Sequence, residues 1–354
     1  VGDYTTCLAE ECVAKEHEVL KIALNDPFVD KIREQGETLR LGASLPWEQR
    51  LKKTKEALAQ FSPEVISLQF VCYGFHPRGF CFGLGAKLRE VFGKVPLQVM
   101  AHELWIGAEV GASKKDRLVG AIQRQGVLSA FKQLCPAVVH TTNAAYQGLL
   151  QQNGIAAGRL PLFGAIPIPI PIPDRPDQTD RTDLADPREA WRFVMFGTLH
   201  PVWPPAPLLD RLLATGKKLS ITHAGNIGTG ADLWGRMQRD YGTKIAFERK
   251  GELTPEEVAG VFAQTDFGIA TTPWELIGKS GSVAAMTEHG LPVVVNRDEV
   301  HFRGWRDEDA GLSPLLIKMG RDLGERLAQA RRREPRSIRE EVAAQFLADL
   351  KGAL

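Results

Sequence analysis

Several features are scarce or missing here, and each absence narrows what the chain can be. Its 354 residues hold five cysteines, Cys7, Cys12, Cys72, Cys81 and Cys135. The number is odd and no pair has metal-ligand spacing, which argues against a disulfide scaffold and a structural zinc site. Reduced, partly buried thiols in a cytosolic protein are the plain reading. Charge of one sign is also missing: 44 Lys and Arg face 43 Asp and Glu, for a net charge of +1. No global pull toward nucleic acid or anionic membrane follows. No apolar run approaches bilayer length, and no secretory signal is visible. The expected location is cytoplasmic, with peripheral contact as the one membrane option. No repeat of solenoid period occurs. His17, His76, His140, His200, His289 and His301 show no metal-ligand pattern, so no metal is expected.

What is present is alternation. Apolar strand-like runs at 19–24, 38–41, 65–71, 97–101 and 137–141 are interleaved with helix-like runs at 46–60, 82–92 and 114–133. Asn143 is placed to cap a further helix. Such alternation implies a parallel sheet with helices on both faces. Near the start, Tyr4, Leu8 and Cys12 follow a helical spacing, directly after Gly2. A doubly wound domain normally opens with a strand before its glycine turn, so the chain is expected to begin after such a strand.

The alternation breaks at 166–173, where Ile-Pro occurs four times over. Each proline lacks a donor and restricts the residue before it, so extended backbone is expected. The polar, Asp-rich stretch that follows completes an interdomain linker at 166–190. The pattern restarts with strands at 193–196, 219–222, 245–247, 267–270 and 292–296. Thr254-Pro255-Glu256-Glu257 is a helix start with a capping box, and 283–289 is a helix ended by Gly290. Ser337 and Glu340 open a last helix that places Val342, Phe346 and Leu350 on one face. The expected domains are therefore 1–165 and 191–334, with 335–354 packing back on the first.

Ligands of doubly wound sheets bind beyond the carboxyl ends of the strands. The richest such segment runs from Thr271 to Ser282, then into a helix. The first N–H groups of a helix lack internal partners, and the helix dipole adds partial positive charge there. Gly278 and Gly281 let a ligand approach the backbone, Ser280 and Ser282 offer hydroxyls, and Lys279 adds a full charge. These are the parts of a diphosphate cradle. The Gly-Lys-Ser triplet is not a Walker loop, because Pro273 stands where its first glycine is required. An ordinary glycine-rich connection is the alternative reading.

The stretch 278–295 resembles the donor-binding segment of the retaining GT-B glycosyltransferases of glycosyltransferase family four. Other segments resemble the family in the same order. Gly2-Asp3-Tyr4-Thr5 is similar to its N-terminal glycine loop, His102-Glu103-Leu104-Trp105 to its strand-end histidine segment, and Gly251-Glu252-Leu253 with 254–262 to its penultimate strand-helix unit. The chain departs from the pattern too. The family's paired glutamates would fall at Ile277 and Ala285. Glu275 lies two residues early and could swing into the sugar site, while Glu288, one turn after Ala285, is expected to face solvent. The family's Arg and Lys after the first strand of the second domain are absent from Gly197-Thr198-Leu199-His200.

The resemblance implies an α/β chain of GT-B type, two Rossmann-like domains facing across a cleft. It implies hexosyl transfer from a nucleotide-diphosphate sugar to a hydroxyl acceptor with retention, without cofactor or metal. His102 and Glu275 would serve the reaction. Gly2, Gly197, Thr198, Asn226, Lys250, Gly278, Lys279, Ser280, Gly281 and Ser282 would hold the donor. Glu103 would meet the acceptor, and, from the residues alone, Arg78 in the loop shaped by Gly74, Pro77 and Gly79 is placed to meet an anionic acceptor. Two other functions suit the same residues: a nucleotide-sugar or partner-protein binder without transfer activity, and a GT-B sugar-nucleotide epimerase.

Overall fold

The structure is a computed structural model that describes residues 1–169, 189–308 and 310–352. Most of the linker expected at 166–190 falls at 170–188, outside the described residues. Among the described residues, 1–161, 302–305 and 339–352 form one compact unit, and 162–169, 189–301, 306–308 and 310–338 form a second.

In the first unit, α1 (Gly2–Ala14) buries Tyr4, Leu8 and Cys12 on one face, the face its spacing predicts. Strands β1 (Lys21–Asp26), β2 (Arg33–Gln35) and β3 (Thr38–Gly42) make a small sheet of order β1-β3-β2. β1 and β3 are parallel, while β2 joins β3 as an antiparallel hairpin. No apolar alternation marked β2, because all three of its residues are polar and exposed. Helix α2 (Trp47–Phe61) follows, then the alternation β4 (Ile66–Val71), α3 (Leu84–Phe92), β5 (Leu97–Glu103), α4 (Lys114–Leu134), β6 (Val138–Thr141), α5 (Ala144–Gln152) and β7 (Gly158–Arg159). These strands form a parallel sheet of order β4-β5-β6-β7. Asn143 caps α5: its Oδ1 accepts from the Tyr146 N–H at 2.9 Å.

The second unit is built on β8 (Ala190–Phe196), α6 (Ala206–Leu213), β9 (Lys218–Ala224), α7 (Ala231–Tyr241), β10 (Ile245–Gly251), α8 (Pro255–Gln264), β11 (Phe267–Ala270), α9 (Gly281–Glu288), β12 (Val293–Val295), β13 (Leu316–Lys318) and α10 (Leu323–Gln329). Its sheet is parallel throughout, in the order β10-β9-β8-β11-β12-β13. Side chains alternate across β8. Trp191, Phe193 and Met195 enter one core with α6, α7 and α10, and Val194 enters the other with α8 and α9. Both faces are covered, as parallel sheets require. Burying a side chain such as Phe193 contributes about 1.5–3 kcal/mol. Ile166 packs in this second core, so the chain has joined it before the Ile-Pro run ends. The capping box of α8 is present: the Thr254 N–H donates to Glu257 Oε2 at 2.8 Å, and the Glu257 N–H to Thr254 Oγ1 at 3.3 Å.

The last helix, α11 (Arg339–Lys351), belongs to the first unit. Val342, Phe346 and Leu350 are buried along it, and it packs on α1, where Lys15 Nζ meets Glu340 Oε1 at 3.3 Å.

Candidate functional site

The strand order of the second unit decides where its ligand site must lie. From β8 the chain moves outward to β9 and β10; from β11 it moves the other way, to β12 and β13. Between β8 and β11 the connections diverge, and it is beyond strand ends at such a point that doubly wound sheets hold their ligands. The residues there are those after β8, Gly197 to His200, and those after β11, Thr271 to Ser282. Gly197 has φ +77°, which a side chain would strain, and a Cβ on it would stand 3.9 Å from the Ser282 Cβ. The two strand ends therefore meet. Gly197 is pinned from behind: its N–H donates to the Ala224 carbonyl at 2.9 Å, and its carbonyl accepts from His223 Nε2 at 2.8 Å. His223 is fully buried, and burial pushes its pKa down, so it acts as a neutral donor.

The loop after β11 tightens into a 3₁₀ turn over Trp274–Lys279, which contains Gly278 and Lys279. Trp274 anchors it. Its N–H donates to the Arg297 carbonyl at 2.8 Å, its indole donates to Asp307 at 2.9 Å, and Lys318 Nζ lies 5.3 Å from the ring centroid. Ser280 is the N-cap of α9. Its Oγ accepts from the Val283 N–H at 3.4 Å and pairs with Ser282 Oγ at 3.1 Å. Gly281 faces open space: nothing stands within 4 Å of where its Cβ would be. Gly278, Lys279, Ser280, Gly281 and Ser282 thus come together with Gly197 around an accessible helix N-terminus.

Two residues near these strand ends, neutral His200 and cationic Arg297, escaped the sequence reading. His200, in the loop after β8, has its pKa lowered by burial and then by the charges of Arg297 and Lys279. Arg297 follows β12. It is buried, bonds Glu299 Oε1 at 2.6 Å and donates to the Thr271 carbonyl at 3.3 Å. The rule that ligands sit at strand ends would have found it, since it comes two residues after Val295.

Thr198 stands in the same loop after β8, and the remaining expected donor residues hold other positions. Thr198 is exposed, and its Cγ2 would lie 2.8 Å from a Cβ on Gly228. Asn226 organises its own turn, donating to Glu252 Oε1 and accepting from the Gly228 N–H, both at 2.8 Å. Lys250 pairs with Glu248 at 2.9 Å on β10. That edge strand stands two places from β8, or about 10 Å at sheet spacing. Gly2 opens α1 in the first unit, with nothing within 4 Å of a Cβ position.

The two glutamates differ from expectation. Glu275 does not swing freely: it is buried in the 3₁₀ turn and accepts from His301 Nδ1 at 2.9 Å. This bond raises the pKa of His301, whose side chain is half exposed. Glu288 does not face solvent. It is buried, and its Oε1 accepts from the Gly164 N–H at 3.0 Å. The physical reason is the segment before the linker, which crosses α9 closely enough that a Cβ on Gly164 would stand 2.7 Å from the Ala285 Cα. The buried N–H needs an acceptor there, and Glu288 supplies it.

In the first unit, His102 ends β5 as expected but is buried. Its Nε2 meets Gln69 Oε1 at 2.8 Å, and Tyr4 of α1 presents its ring edge-on at 5.1 Å. Burial pushes its pKa down to about 3, so the ring is neutral. Glu103 is half-buried beside it. Arg78 is exposed in the loop after β4, and this loop hangs on a residue that the sequence did not mark. Gln123 of α4, almost fully buried, donates to the Arg78 carbonyl at 2.9 Å and to Tyr73 OH at 2.8 Å, and accepts from the Ile106 N–H at 3.0 Å. A lone glutamine in a helix carries no signal of such a role. Among the described residues no three His, Cys, Asp or Glu side chains converge to hold a metal, and no helix is long and apolar enough to cross a membrane.

No protein-family model matches this chain, and no curated protein matches it by sequence. Solved structures do. HepE of Anabaena in complex with UDP and glucose superposes with a TM-score of 0.52 at 13% identity, over 90% of this chain and 86% of that one. The same protein in complex with UDP gives 0.50 over the same shares. The α,α-trehalose 6-phosphate synthase of Burkholderia multivorans gives 0.48 at 13% identity, over 91% of this chain and 87% of that one. What is shared with HepE is the architecture: the chain has the GT-B fold, with two parallel-sheet α/β units.

Proposed function

We propose that the chain transfers a hexosyl group from a nucleotide-diphosphate sugar to a hydroxyl acceptor, with retention, as glycosyltransferase family four does. One observation carries this reading. The open N-terminus of α9, with Ser280, Gly281 and Ser282, lies against Gly197 at the divergence of β8 and β11. A helix N-terminus flanked by the cations Lys279 and Arg297, with the neutral imidazole of His200 as a further polar group, suits a diphosphate, because unpaired N–H groups and nearby cations stabilise anionic oxygens. HepE, which shares the fold, binds UDP and glucose. The cations also fill the place of the absent Arg and Lys: Lys279 meets phosphate charge directly, and Arg297 backs it from the end of β12.

In the proposed reaction these groups stabilise charge on the departing diphosphate, whose oxygen takes the acceptor proton on the same face. Orientation and electrostatics supply the rate. His102 offers a sugar hydroxyl a neutral imidazole. Glu275 acts through His301, the exposed member of the pair. On the acceptor side, Ile106, Val110, Leu118 and Ile122 are exposed beside Lys114, Lys115 and Arg117, a surface suited to peripheral membrane contact. The test is product analysis. Incubation with UDP-glucose and a panel of hydroxyl acceptors should release UDP, and NMR of the product should show the donor's anomeric configuration; an inverted product refutes retention.

A second reading, a nucleotide-sugar binder without transfer activity, is favoured by the carboxylates. Glu275 and Glu288 are both buried in structural bonds. Saturable UDP-glucose binding without transfer or hydrolysis would select it.

A further inference from the structure

One face of the parallel sheet in the first unit carries a line of polar side chains that runs from α11 to His102. Asp349 Oδ2 of α11 meets His140 Nε2 at 2.9 Å. His140 Nδ1 meets Gln98 Nε2 at 3.2 Å. Ser67 Oγ donates to Gln98 Oε1 at 2.6 Å, and Gln69 Nε2 to Ser67 Oγ at 2.8 Å. Gln69 Oε1 then meets His102 Nε2 at 2.8 Å. The line crosses β6, β5 and β4 and returns to β5. Gln98 and His140 are almost wholly buried, so their polar atoms must find partners within it.

The hydrogen-bond pairs assign each direction from one end, passing through Ser67 at an exposed position on β4. An ionised carboxylate accepts only, so His140 Nε2 must carry a proton. Burial keeps His140 neutral, with a pKa below its ordinary value despite Asp349, so Nδ1 is an acceptor. Gln98 must then turn its NH₂ to His140 and its oxygen to Ser67. The Ser67 hydroxyl proton is thereby used, and its lone pairs face the NH₂ of Gln69. That leaves Gln69 Oε1 toward His102, whose Nε2 must donate. His102 Nδ1, which has no hydrogen-bond partner among the described residues, is left as a bare acceptor.

We infer that Asp349 and His140 are positioning residues: through Gln98, Ser67 and Gln69 they fix His102 in its Nε2–H tautomer, so that Nδ1 accepts a hydrogen bond from a substrate hydroxyl. The catalytic part rests on the proposed role of His102; the tautomer does not. With asparagine at 349 the end group both donates and accepts. Every link can then reverse, since each amide can flip and each ring can shift its proton, and His102 becomes free to carry hydrogen on Nδ1.

The experiment is long-range ¹H–¹⁵N NMR of the full chain labelled at histidine, with His102 assigned by His102→Gln. Wild type should show a neutral His102 protonated at Nε2. Asp349→Asn, at a half-exposed position, should fold and show a share of Nδ1–H. Glu340→Gln removes the α1–α11 ion pair without touching the line, so it separates loosening of α11 from the relay and should leave the tautomer unchanged. In a transferase, kcat of Asp349→Asn should fall by the share of the wrong tautomer while KM for the donor stays fixed. An Nδ1–H signal in wild type overturns the inference, as does an unaltered His102 in Asp349→Asn. If the tautomer behaves as stated but no donor is turned over, the transferase reading fails and the relay stands.

Discussion

Gly197→Ala separates the cost of backbone strain from the cost of blocking a ligand. Gly197 has φ +77°, in the left-handed region, where a Cβ costs about 1–2 kcal/mol. At about 2–4 °C per kcal/mol for a unit of this size, the melting temperature should fall by about 2–8 °C. The added methyl meets only Ser282 Cβ, at the ordinary contact distance of 3.9 Å, so repacking adds little. It does project toward the mouth of the α9 cradle. Gly216 provides the control: its φ is +71° and nothing stands within 4 Å of its Cβ position. Gly216→Ala should therefore lose similar stability and no ligand affinity. Calorimetric titration with UDP, beside urea denaturation of both variants, reads the two effects apart. Gly197→Ala should weaken UDP by about tenfold or more, equivalent to about 1.4 kcal/mol, with Gly216→Ala unchanged. Equal affinities in the two variants would refute the placement of the phosphates against Gly197.

Lys279→Ala should weaken UDP more than uridine, because the lysine meets phosphate charge and not the base; equal losses in calorimetry would argue against it. Glu288→Ala leaves the buried Gly164 N–H without its acceptor and should cost about 1–3 kcal/mol in urea denaturation. His301, its pKa raised by Glu275, contributes stability that is fully present below its unfolded value of about 6.5 and lost as pH rises through the folded pKa. The wild-type excess in urea midpoint over His301→Ala should shrink across that window, and Glu275→Gln should abolish the change.

Most of the second unit was legible because its central strands β11 and β12 are buried on both faces and β8 is largely apolar. The 267–270 strand, Phe-Gly-Ile-Ala, matches β11 residue for residue, and the capping box at Thr254 named the start of α8. The helices α6 and α7 escaped because prolines crowd the entry to one, and polar residues dominate the other. In the site, strand ends and glycines could be read, so the α9 cradle and Gly197 were found. Partnerships could not. Nothing in the local sequence says that Glu288 is claimed by Gly164, that Glu275 is claimed by His301, or that Lys250 lies at a sheet edge. Those facts depend on contacts between residues up to 124 positions apart. His102 was placed correctly at its strand end, but its burial under Tyr4 depends on α1, which no spacing near His102 encodes.

The central claim is a diphosphate site at the N-terminus of α9, and calorimetric titration of the intact chain with UDP, GDP and ADP tests it most directly. Gly281→Val is the companion variant, since a Cβ at this position enters open space. The account predicts saturable binding of at least one of the three, weakened by about tenfold or more in Gly281→Val. No binding of any of them at millimolar concentration, or the same affinity in Gly281→Val, would contradict it.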